Sequence, residues 1–463
     1  MISPDTFDAR RVALADAVGT GLVVLLGNEG APMNYAANLY PFRQDGSFRY
    51  YTGLDAPGLA VTVDAETGRA TLYGRDATLE DRVWDGDVPT LAERAASAGI
   101  QGTAAHDGLA EAVANARRQG RAVHVLPPYR ADQRLRLAEL LGVAPADVRP
   151  SDVLTDAVIA QRLVKSDDEV AEIERAVALA DEVHRTAMAL AQPGRSEREV
   201  VAQMEAVALG RGAYLSFPPI VTVRGEVPHH RAGDHVLEAG DLLLHDAGCV
   251  ASRSGYASDI TRVSPVGGTF SDRQRAVYEL VLQAQEACIA ACAPGVSFRD
   301  VHDLASTTLA AGLVDLGLLR GDADEIVAAG AHAAFFHHGL GHPMGLDVHD
   351  LEGLGEDRVG YAGEATRSDQ FGTRYLRFAR ALQPGHVMTV EPGLYFNAVL
   401  IETWADEGRF AEFVDYDEAR RWVGFGGVRL EDDLLITDEG YRVLGPPIPK
   451  APDEVEAVVR GEG

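Results

Sequence analysis

The sequence predicts an α+β protein of two domains, an N-terminal α/β domain over residues 1–158 and a second domain over residues 159–463. Three observations support this prediction. In the first part, short apolar runs typical of strands alternate with helical stretches. The pattern changes near residue 160, and the second part then repeats a set of motifs. With 463 residues, the chain is long enough to bury a substantial core in each domain.

The composition is that of an ordinary globular protein, with 46% hydrophobic and 24% charged residues. The formal net charge is −28, and the sequence contains no stripe of basic residues. Nucleic acids and anionic membrane surfaces require clustered lysine and arginine, so neither is expected as a partner.

The sequence also bears on location. MISPDTFDARR at the start lacks a basic segment followed by an apolar one, so we expect no signal peptide. No run approaches the roughly 18 apolar residues of a membrane span. Three cysteines are too few for a disulfide framework, and Cys288 and Cys292, one helical turn apart, are expected to pack within a helix. We therefore expect a cytoplasmic protein.

The N-terminal part is expected to contain a sheet. GLVVLLG (21–27) predicts a buried strand, and GLAVTVD (58–64) and ATLYGRD (70–76) flank the turn AETG, which predicts a hairpin. AVHVLPP (122–128) predicts a further strand, and a helical stretch follows over residues 130–142.

A long helix is expected to open the second domain. Ser166 and Glu169 form a capping-box pattern, apolar residues then recur at helical spacing, and Pro193-Gly194 ends the run. The predicted domain boundary therefore lies just before this helix.

The second domain contains two sets of motifs twice, in the same order. PGRSERE (193–199) and PGVSFRD (294–300) each predict the end of one helix and the capped start of the next. GDLLLHDAG (240–248) and GHVMTVEPG (385–393) share a glycine, a carboxylate near the end of the motif and a closing glycine. Together these pairs predict two related halves.

Each half carries two acidic residues. Asp246 and Glu391 occupy the same place in the two copies, after apolar runs that predict buried strands, and Asp259 and Glu431 follow in strand-like runs. A turn or N-cap role would suit any one of them alone. Four gathered carboxylates would repel one another and take up protons unless a cation holds them. The four acids therefore predict a shared cation site.

The segment from His337 to Asp350, HHGLGHPMGLDVHD, holds four of the 14 histidines. Two glycines between His338 and His342 disfavour a regular helix, so the segment differs from the helical HExxH arrangement of zinc proteases. It predicts a tight loop that brings the backbone close to a neighbouring group. A single histidine in such a loop is usually structural, but His342 here completes a set with the four acids.

Four carboxylates and one imidazole form an oxygen-rich ligand set that favours Mn²⁺, Co²⁺ or Fe²⁺ over a structural zinc. Two such ions about 3.5–4 Å apart can share a hydroxide and polarise a carbonyl, which is an arrangement used in hydrolysis. We then expect His338, His349 and His229 to contact the substrate or to support a developing oxyanion.

Taken in order, DAG…SDITR, HGLGHPMGLDVHD, TVEPGLYF and GGVRLEDD resemble the motifs of the M24 metallopeptidases, which have the pita-bread fold. The branch they resemble most is that of Xaa-Pro dipeptidase (prolidase) and Xaa-Pro aminopeptidase (aminopeptidase P). The resemblance covers most of residues 160–463, and YPFRQDGSFRYYTG extends it to the N-terminal domain of that branch. It implies a creatinase-like α/β domain, a pita-bread domain with pseudo-two-fold internal symmetry, and a homodimer.

The resemblance also implies two divalent metal ions per chain, most often Mn²⁺, with Co²⁺, Fe²⁺ or Zn²⁺ as alternatives. By motif position, Asp246 would bind one ion, Asp259 and Glu431 would bridge the two, and His342 and Glu391 would bind the other. The resemblance further implies that a metal-bridging hydroxide attacks the peptide bond and that Glu391 carries its proton.

Further positions match family motifs outside the ligand set. His229, 17 residues before Asp246, matches the substrate-side histidine. His349 matches the histidine that supports the tetrahedral intermediate, and Arg429 matches the arginine beside the site, where it is expected to help bind the substrate.

One spacing departs from the family pattern, because Asp246 and Asp259 are 13 residues apart, two more than is usual. The extra pair lies in ASRSG and predicts a longer hairpin turn. Since two residues preserve strand alternation, both carboxylates are still expected to face the same side.

The expected substrates are short proline-containing peptides, with Xaa-Pro dipeptides as the main expectation. The long segment between TVEPGLYF and FGGVRLEDD resembles prolidases, and LRFARALQPG places Arg377 where prolidases bind the dipeptide carboxylate. A guanidinium fork binds a carboxylate through two hydrogen bonds and so measures substrate length. A surface arginine is the alternative interpretation of Arg377.

Three other functions remain open at this point. Aminopeptidase P activity on longer Xaa-Pro peptides would use the same site. A non-catalytic peptide-binding module would not need the complete set of five ligands. Organophosphate ester hydrolysis, as in some prolidase-like enzymes, would use the same ions. Creatinase chemistry is not expected, because that relative works without these ligands.

Overall fold

The computed structural model describes residues 2–251 and 253–462, and the chain forms two compact units. The first unit comprises Met1–Arg162 and Leu351–Gly355, and the second comprises Leu163–Asp350 and Glu356–Gly463. The junction after Arg162 lies close to the boundary predicted after residue 158. Within the described residues, no helix is both long and apolar enough to span a membrane.

The first unit is built on a five-stranded mixed sheet with the strand order β4-β3-β2-β1-β5. Strand β2 is antiparallel to β1 and to β3, whereas β5 and β4 are parallel to their neighbours. The elements are α1 (Pro4–Val18), β1 (Leu22–Leu26), α2 (Gly46–Thr52), β2 (Ala60–Asp64), β3 (Ala70–Gly74), α3 (Leu79–Asp85), α4 (Leu91–Ser97), β4 (Gly102–Ala105), α5 (Gly108–Arg118), β5 (Val123–Val125), α6 (Ala131–Leu141) and α7 (Asp152–Leu163).

Every strand predicted in this unit is present, although each is shorter than its apolar run. The predicted hairpin is β2–β3, in which Val63 pairs with Ala70. Its turn closes where the N–H of Gly68 donates to the carbonyl of Asp64 over 2.8 Å. Gly68 has a φ of 69°, a backbone conformation that glycine adopts without steric cost. The local sequence therefore determines this part of the sheet.

The second unit carries the repeated motifs. Its elements are α8 (Asp167–Ala189), α9 (Glu197–Gly210), β6 (Ala213–Leu215), β7 (Ile220–Thr222), β8 (Leu242–Ala247), β9 (Cys249–Ala251), β10 (Ile260–Pro265), α10 (Asp272–Ala291), α11 (Phe298–Asp315), α12 (Ala323–Ala329), α13 (Glu356–Gly360), β11 (Val387–Val390), β12 (Gly393–Tyr395), α14 (Ala398–Asp406), α15 (Tyr416–Arg421), β13 (Gly427–Arg429), β14 (Asp432–Ile436), β15 (Tyr441–Val443) and α16 (Pro452–Val459).

The two halves of this unit are built alike. One half contains a three-stranded sheet in the order β10-β8-β7, and the other contains one in the order β11-β14-β15. Both β8–β10 and β11–β14 are antiparallel pairs. A bridge between Thr261 and Glu431 joins the two halves. This arrangement agrees with the internal repeat predicted from the sequence.

The serines of the two PG motifs begin helices, as predicted. Ser196 caps α9, where its hydroxyl accepts from the N–H of Glu199 and its own N–H donates to that carboxylate. Ser297 caps α11 by accepting from the N–H of Arg299. Such caps satisfy N–H groups that the first helical turn leaves without partners. Each half therefore begins its second helix at an equivalent position.

Candidate metal centre

The four predicted acids lie at the ends of the two antiparallel strand pairs. Asp246 is near the end of β8, and Asp259 directly precedes β10. Glu391 directly follows β11, and Glu431 directly precedes β14. The bridge between Thr261 and Glu431 brings the two strand pairs together, so all four carboxylates come from the side where the halves meet.

The structure places His342 among these acids. Its Nε2 lies 3.5 Å from Oδ2 of Asp259 and 3.7 Å from Oε1 of Glu391. One ligand atom each from Asp259, His342 and Glu431 lie within 4.8 Å of one another. Nδ1 of His342 lies 3.1 Å from the carbonyl of Pro343, so Nδ1 carries the proton and the lone pair of Nε2 faces the acids.

The glycines of the histidine segment allow this placement. A Cβ atom on Gly341 would lie 2.1 Å from the carbonyl oxygen of Thr389, and one on Gly339 would lie 2.6 Å from Cα of Leu376. The loop therefore packs directly on the backbone at Thr389 of β11 and at Leu376. In addition, the N–H of His342 donates to the Thr389 hydroxyl over 3.0 Å. The predicted close approach of this loop to a backbone neighbour is confirmed.

The cluster is electrostatically unfavourable without a cation. Burial, together with the Asp246 carboxylate, raises the pKa of Asp259 well above its ordinary value. Burial and the neighbouring Asp259 carboxylate raise the pKa of Glu391 to about 8, against the opposing effect of Arg429. Burial and the other carboxylates likewise raise the pKa of Glu431 well above its ordinary value. These groups remain charged at neutral pH only when positive charge is added.

The side chains present suit a divalent metal. Oδ1 of Asp246 and Oδ1 of Asp259 are buried without a hydrogen-bond donor among the described residues. Such orphaned oxygens are costly unless a cation takes the place of the donor. With one imidazole and four carboxylates, the donor set is the hard, oxygen-rich kind that divalent transition metals accept.

Arg429 connects the acids to the histidine loop. Its guanidinium donates to Oδ2 of Asp246 over 2.5 Å, to the Thr261 hydroxyl over 3.1 Å and to the Tyr395 hydroxyl over 3.0 Å. Thr261 donates onward to Glu431 over 2.7 Å. Tyr395 lies 2.7 Å from Nε2 of His338. Since Arg429 occupies the acceptor side of the Tyr395 hydroxyl, that hydroxyl donates to His338.

The substrate-side candidates surround the same cluster. The ring centroids of His349 and His342 are 4.4 Å apart. Partial desolvation and the Arg429 charge lower the pKa of His229, whose side chain is still exposed to solvent, and the charges of Arg377 and His349 lower this pKa further. Arg377 is half-buried, and its charge also lowers the pKa of Glu391. All three candidates therefore lie within electrostatic reach of the proposed ligands.

The longer turn between Asp246 and Asp259 does not separate the two carboxylates. The Asp246 charge raises the pKa of Asp259, and both charges raise the pKa of Glu431. Ser252, within ASRSG, lies outside the described residues. The remainder of that turn closes where the N–H of Gly255 donates to the carbonyl of Ala251 over 2.9 Å. The expectation that both acids face the same side agrees with this geometry.

Sequence reasoning did not single out three residues that orient the ligands. Thr261 and Tyr395 lie inside motifs already identified, but only the structure shows them bonded to Arg429. The Asp433 carboxylate accepts from the N–H of Asp259 over 3.1 Å, and its pKa is raised by burial and by the Asp259 charge. In the sequence, the feature that could have drawn attention to Asp433 is its position two residues after Glu431.

Comparison with known proteins agrees with this geometry. Residues 171–438 match the Metallopeptidase family M24, and residues 7–124 match the Aminopeptidase P, N-terminal domain. A probable Xaa-Pro aminopeptidase of Uncinocarpus reesii is 32% identical over 98% of this chain and 93% of its own length. Human Xaa-Pro dipeptidase is also 32% identical, over 96% of this chain and 90% of its own.

Solved structures show the same similarity. An Escherichia coli aminopeptidase P variant in complex with substrate superposes with a TM-score of 0.82 at 29% identity, covering 100% of this chain and 99% of that one. Pseudomonas aeruginosa aminopeptidase PepP gives a TM-score of 0.82 at 31% identity, with the same coverage.

The fold and the acid cluster together define a metal-dependent hydrolase with a pita-bread domain. The chain belongs to the metallopeptidase family M24, and it carries the N-terminal domain found in aminopeptidase P. The predicted fold class is confirmed. The comparisons include both aminopeptidases and a dipeptidase, so the predicted preference for dipeptides is not confirmed.

Proposed function

We propose that this chain hydrolyses the peptide bond before proline in peptides with an Xaa-Pro N-terminus. The observation that carries the proposal is the cluster of Asp259, Glu391 and Glu431 beside His342, because burial and mutual repulsion raise the pKa of each of these three carboxyls unless positive charge is added. The family membership and the full-length similarity to Xaa-Pro peptidases supply the substrate class.

In this proposal Asp246, Asp259, His342, Glu391 and Glu431 hold two divalent ions. Bound ions would polarise the scissile carbonyl and lower the pKa of a water molecule. Mn²⁺ is the proposed metal because four of the five ligands are carboxylates, and Co²⁺, Fe²⁺ and Zn²⁺ are the alternatives.

The protein groups around the ions have separate proposed roles. Glu391, whose Oε1 lies 3.7 Å from Nε2 of His342, would accept the proton of the attacking water and return it to the leaving proline nitrogen. His349, next to His342, would donate to the developing oxyanion. His338 and His229 would contact the substrate. Arg429 would orient Asp246 through its short hydrogen bond.

For substrate length, aminopeptidase P activity on peptides longer than two residues is the first candidate. The similarity to two aminopeptidase P structures over the whole chain supports it, as do relatives named Xaa-Pro aminopeptidase. Hydrolysis of Xaa-Pro dipeptides is the second candidate. It is favoured by Arg377, which acts electrostatically on both His229 and Glu391 and could bind a C-terminal carboxylate.

Cleavage of Ala-Pro and Ala-Pro-Ala by the Mn²⁺-loaded enzyme tests both the proposed reaction and the preferred substrate length. Activity on either peptide that disappears in Glu391→Ala supports Xaa-Pro hydrolysis, and activity on neither contradicts it. Preference for the tripeptide supports the first candidate. Preference for the dipeptide supports the second candidate, provided that Arg377→Ala removes this preference mainly by raising KM.

A further inference from the structure

A buried carboxylate outside the metal centre ties together both ends of the loop that carries His229. Glu197, the first residue of α9, is only 1% exposed. Its Oε1 accepts from the Thr222 hydroxyl and from the N–H of Val223, each over 2.9 Å, and its Oε2 accepts from the N–H of Gly233 over 2.9 Å. We call residues 223–233 the His229 loop.

Thr222 extends this connection to the neighbour of His229. Because its hydroxyl donates to Glu197, its lone pairs accept from the N–H of Arg224 over 3.0 Å and from Nδ1 of His230 over 3.1 Å. The three bonds use the full capacity of the hydroxyl. The ring of His230 is thereby fixed beside the backbone that presents His229.

The outer part of the loop is held from another side. The side-chain amide of Asn397, the N-cap of α14, donates to the carbonyl of Glu226 over 3.0 Å. A Cβ atom on Gly225 would lie 2.8 Å from the carbonyl oxygen of Gly427, so the two backbones touch. The loop is therefore clamped at its base by Glu197 and near its tip by the start of α14 and β13.

The internal repeat shows that this carboxylate is not needed to start the helix. In PGRSERE and PGVSFRD, the position of Glu197 is taken in the second half by Phe298, which is completely buried. Burying a carboxylate costs free energy unless hydrogen bonds compensate. Among the described residues no lysine or arginine forms an ion pair with Glu197. The loop donors and the α9 N-terminus supply the compensation.

We propose that Glu197 is a positioning residue that holds the His229 loop, and with it His229, against the metal centre. The inference rests on the substrate role proposed for His229. Its structural part, that Glu197 fixes the loop, does not depend on the reaction.

Glu197→Gln tests the inference with almost no change of shape. A side-chain amide has a single acceptor oxygen, so one end of the loop loses its partner. Hydrogen–deuterium exchange over residues 220–235 is expected to accelerate at least about tenfold, since a hydrogen bond to a charged group that holds the loop is lost. Unchanged exchange would overturn the proposal.

Kinetics separate positioning from general destabilisation. In Glu197→Gln, kcat/KM is expected to fall about 10- to 100-fold at unchanged metal content. In a His229→Ala background, the same change is expected to cost less than about twofold, because the group it positions is absent. Phe298→Leu, at the matching position of the second half, is the control and should lower Tm without this coupling. An undiminished effect in the His229→Ala background would contradict the inference.

The two proposals fail in different ways. A wild-type enzyme that cleaves no Xaa-Pro peptide overturns the proposed function, while the exchange experiment still decides whether Glu197 fixes the loop. An active enzyme whose Glu197→Gln variant shows wild-type exchange and kinetics overturns the inference alone.

Discussion

Nη2 of Arg429 lies 2.5 Å from Oδ2 of Asp246, so a guanidinium is fixed at the edge of the acid cluster. The other nitrogens of Arg429 are engaged by Thr261 and Tyr395, which hold the fork in this orientation. One arginine beside four acids leaves the cluster short of positive charge. This imbalance is the physical basis for the two cations that we propose at this site.

Replacing Arg429 tests its role as a fork. Arg429→Lys keeps the charge, but a single ammonium cannot reach Asp246, Thr261 and Tyr395 together, so we expect kcat/KM to fall at least about tenfold. In the metal-free protein, Arg429→Met also removes the partner of the buried Asp246 carboxylate and is expected to cost about 3–5 kcal/mol of unfolding free energy, measured with urea. An Arg429→Lys variant with wild-type kinetics would show that the guanidinium need not bind the three groups at once.

Metal removal is expected to make stability depend on pH. In the metal-free protein, burial and mutual repulsion raise the pKa of Glu391 to about 8 and raise those of Asp259 and Glu431. The folded protein then binds more protons than the unfolded chain, so stability falls as pH rises from the ordinary carboxyl pKa towards 8. Differential scanning fluorimetry after chelation should show Tm decreasing over this range. A Tm independent of pH would contradict the clustered charges.

The same equilibrium predicts proton release on metal binding. At pH 7 the Glu391 carboxyl of the metal-free protein is mostly protonated, and the ion must displace that proton. Calorimetric titration with Mn²⁺ in two buffers of different ionisation enthalpy measures the number of protons released. We expect roughly one or more per chain at pH 7, and fewer at pH 9. Binding without proton release would mean that the acids are already charged.

Gly341 should tolerate no side chain. A Cβ atom would lie 2.1 Å from the carbonyl oxygen of Thr389 and force the histidine loop away from β11. We expect Gly341→Ala to lose most of its bound metal and activity, as measured by elemental analysis and peptide hydrolysis. Gly210→Ala is the control, because no atom lies within 4 Å of its added Cβ. Full metal content in Gly341→Ala would show that the loop can shift without cost.

The only two lysines of the chain allow a buried ion pair to be compared with a partly exposed one. Lys165 lies 3.0 Å from Asp350, and both side chains are only 1% exposed, whereas Lys450 pairs with Asp432 while 24% exposed. Lys165→Met should cost about 3–5 kcal/mol of unfolding free energy, because it removes one partner of an ion pair that is almost completely buried. Lys450→Met should cost less, since Arg262 also binds Asp432. Equal losses would contradict this account.

Local sequence predicted much of this architecture. Apolar runs and capping serines gave the hairpin and the starts of α8, α9 and α11, because strand patterning and caps are local properties. The repeated motifs indicated two related halves. The acids at equivalent positions of the two copies were therefore expected to share one site.

The groups that orient the site could not be found in this way. Thr261 and Arg429, or Asp259 and Asp433, are distant in the sequence, and no local pattern shows that they meet. The homodimer implied by the family resemblance stays a prediction for the same reason, because it depends on surfaces rather than on motifs.

The most direct test is an anomalous-difference map from crystals of the Mn²⁺-loaded protein, recorded near the manganese absorption edge. The account predicts two peaks per chain, both bonded to oxygens of Asp246, Asp259, Glu391 and Glu431 and one also to Nε2 of His342. A map with no peak among these side chains, or with manganese bound only elsewhere, would contradict it.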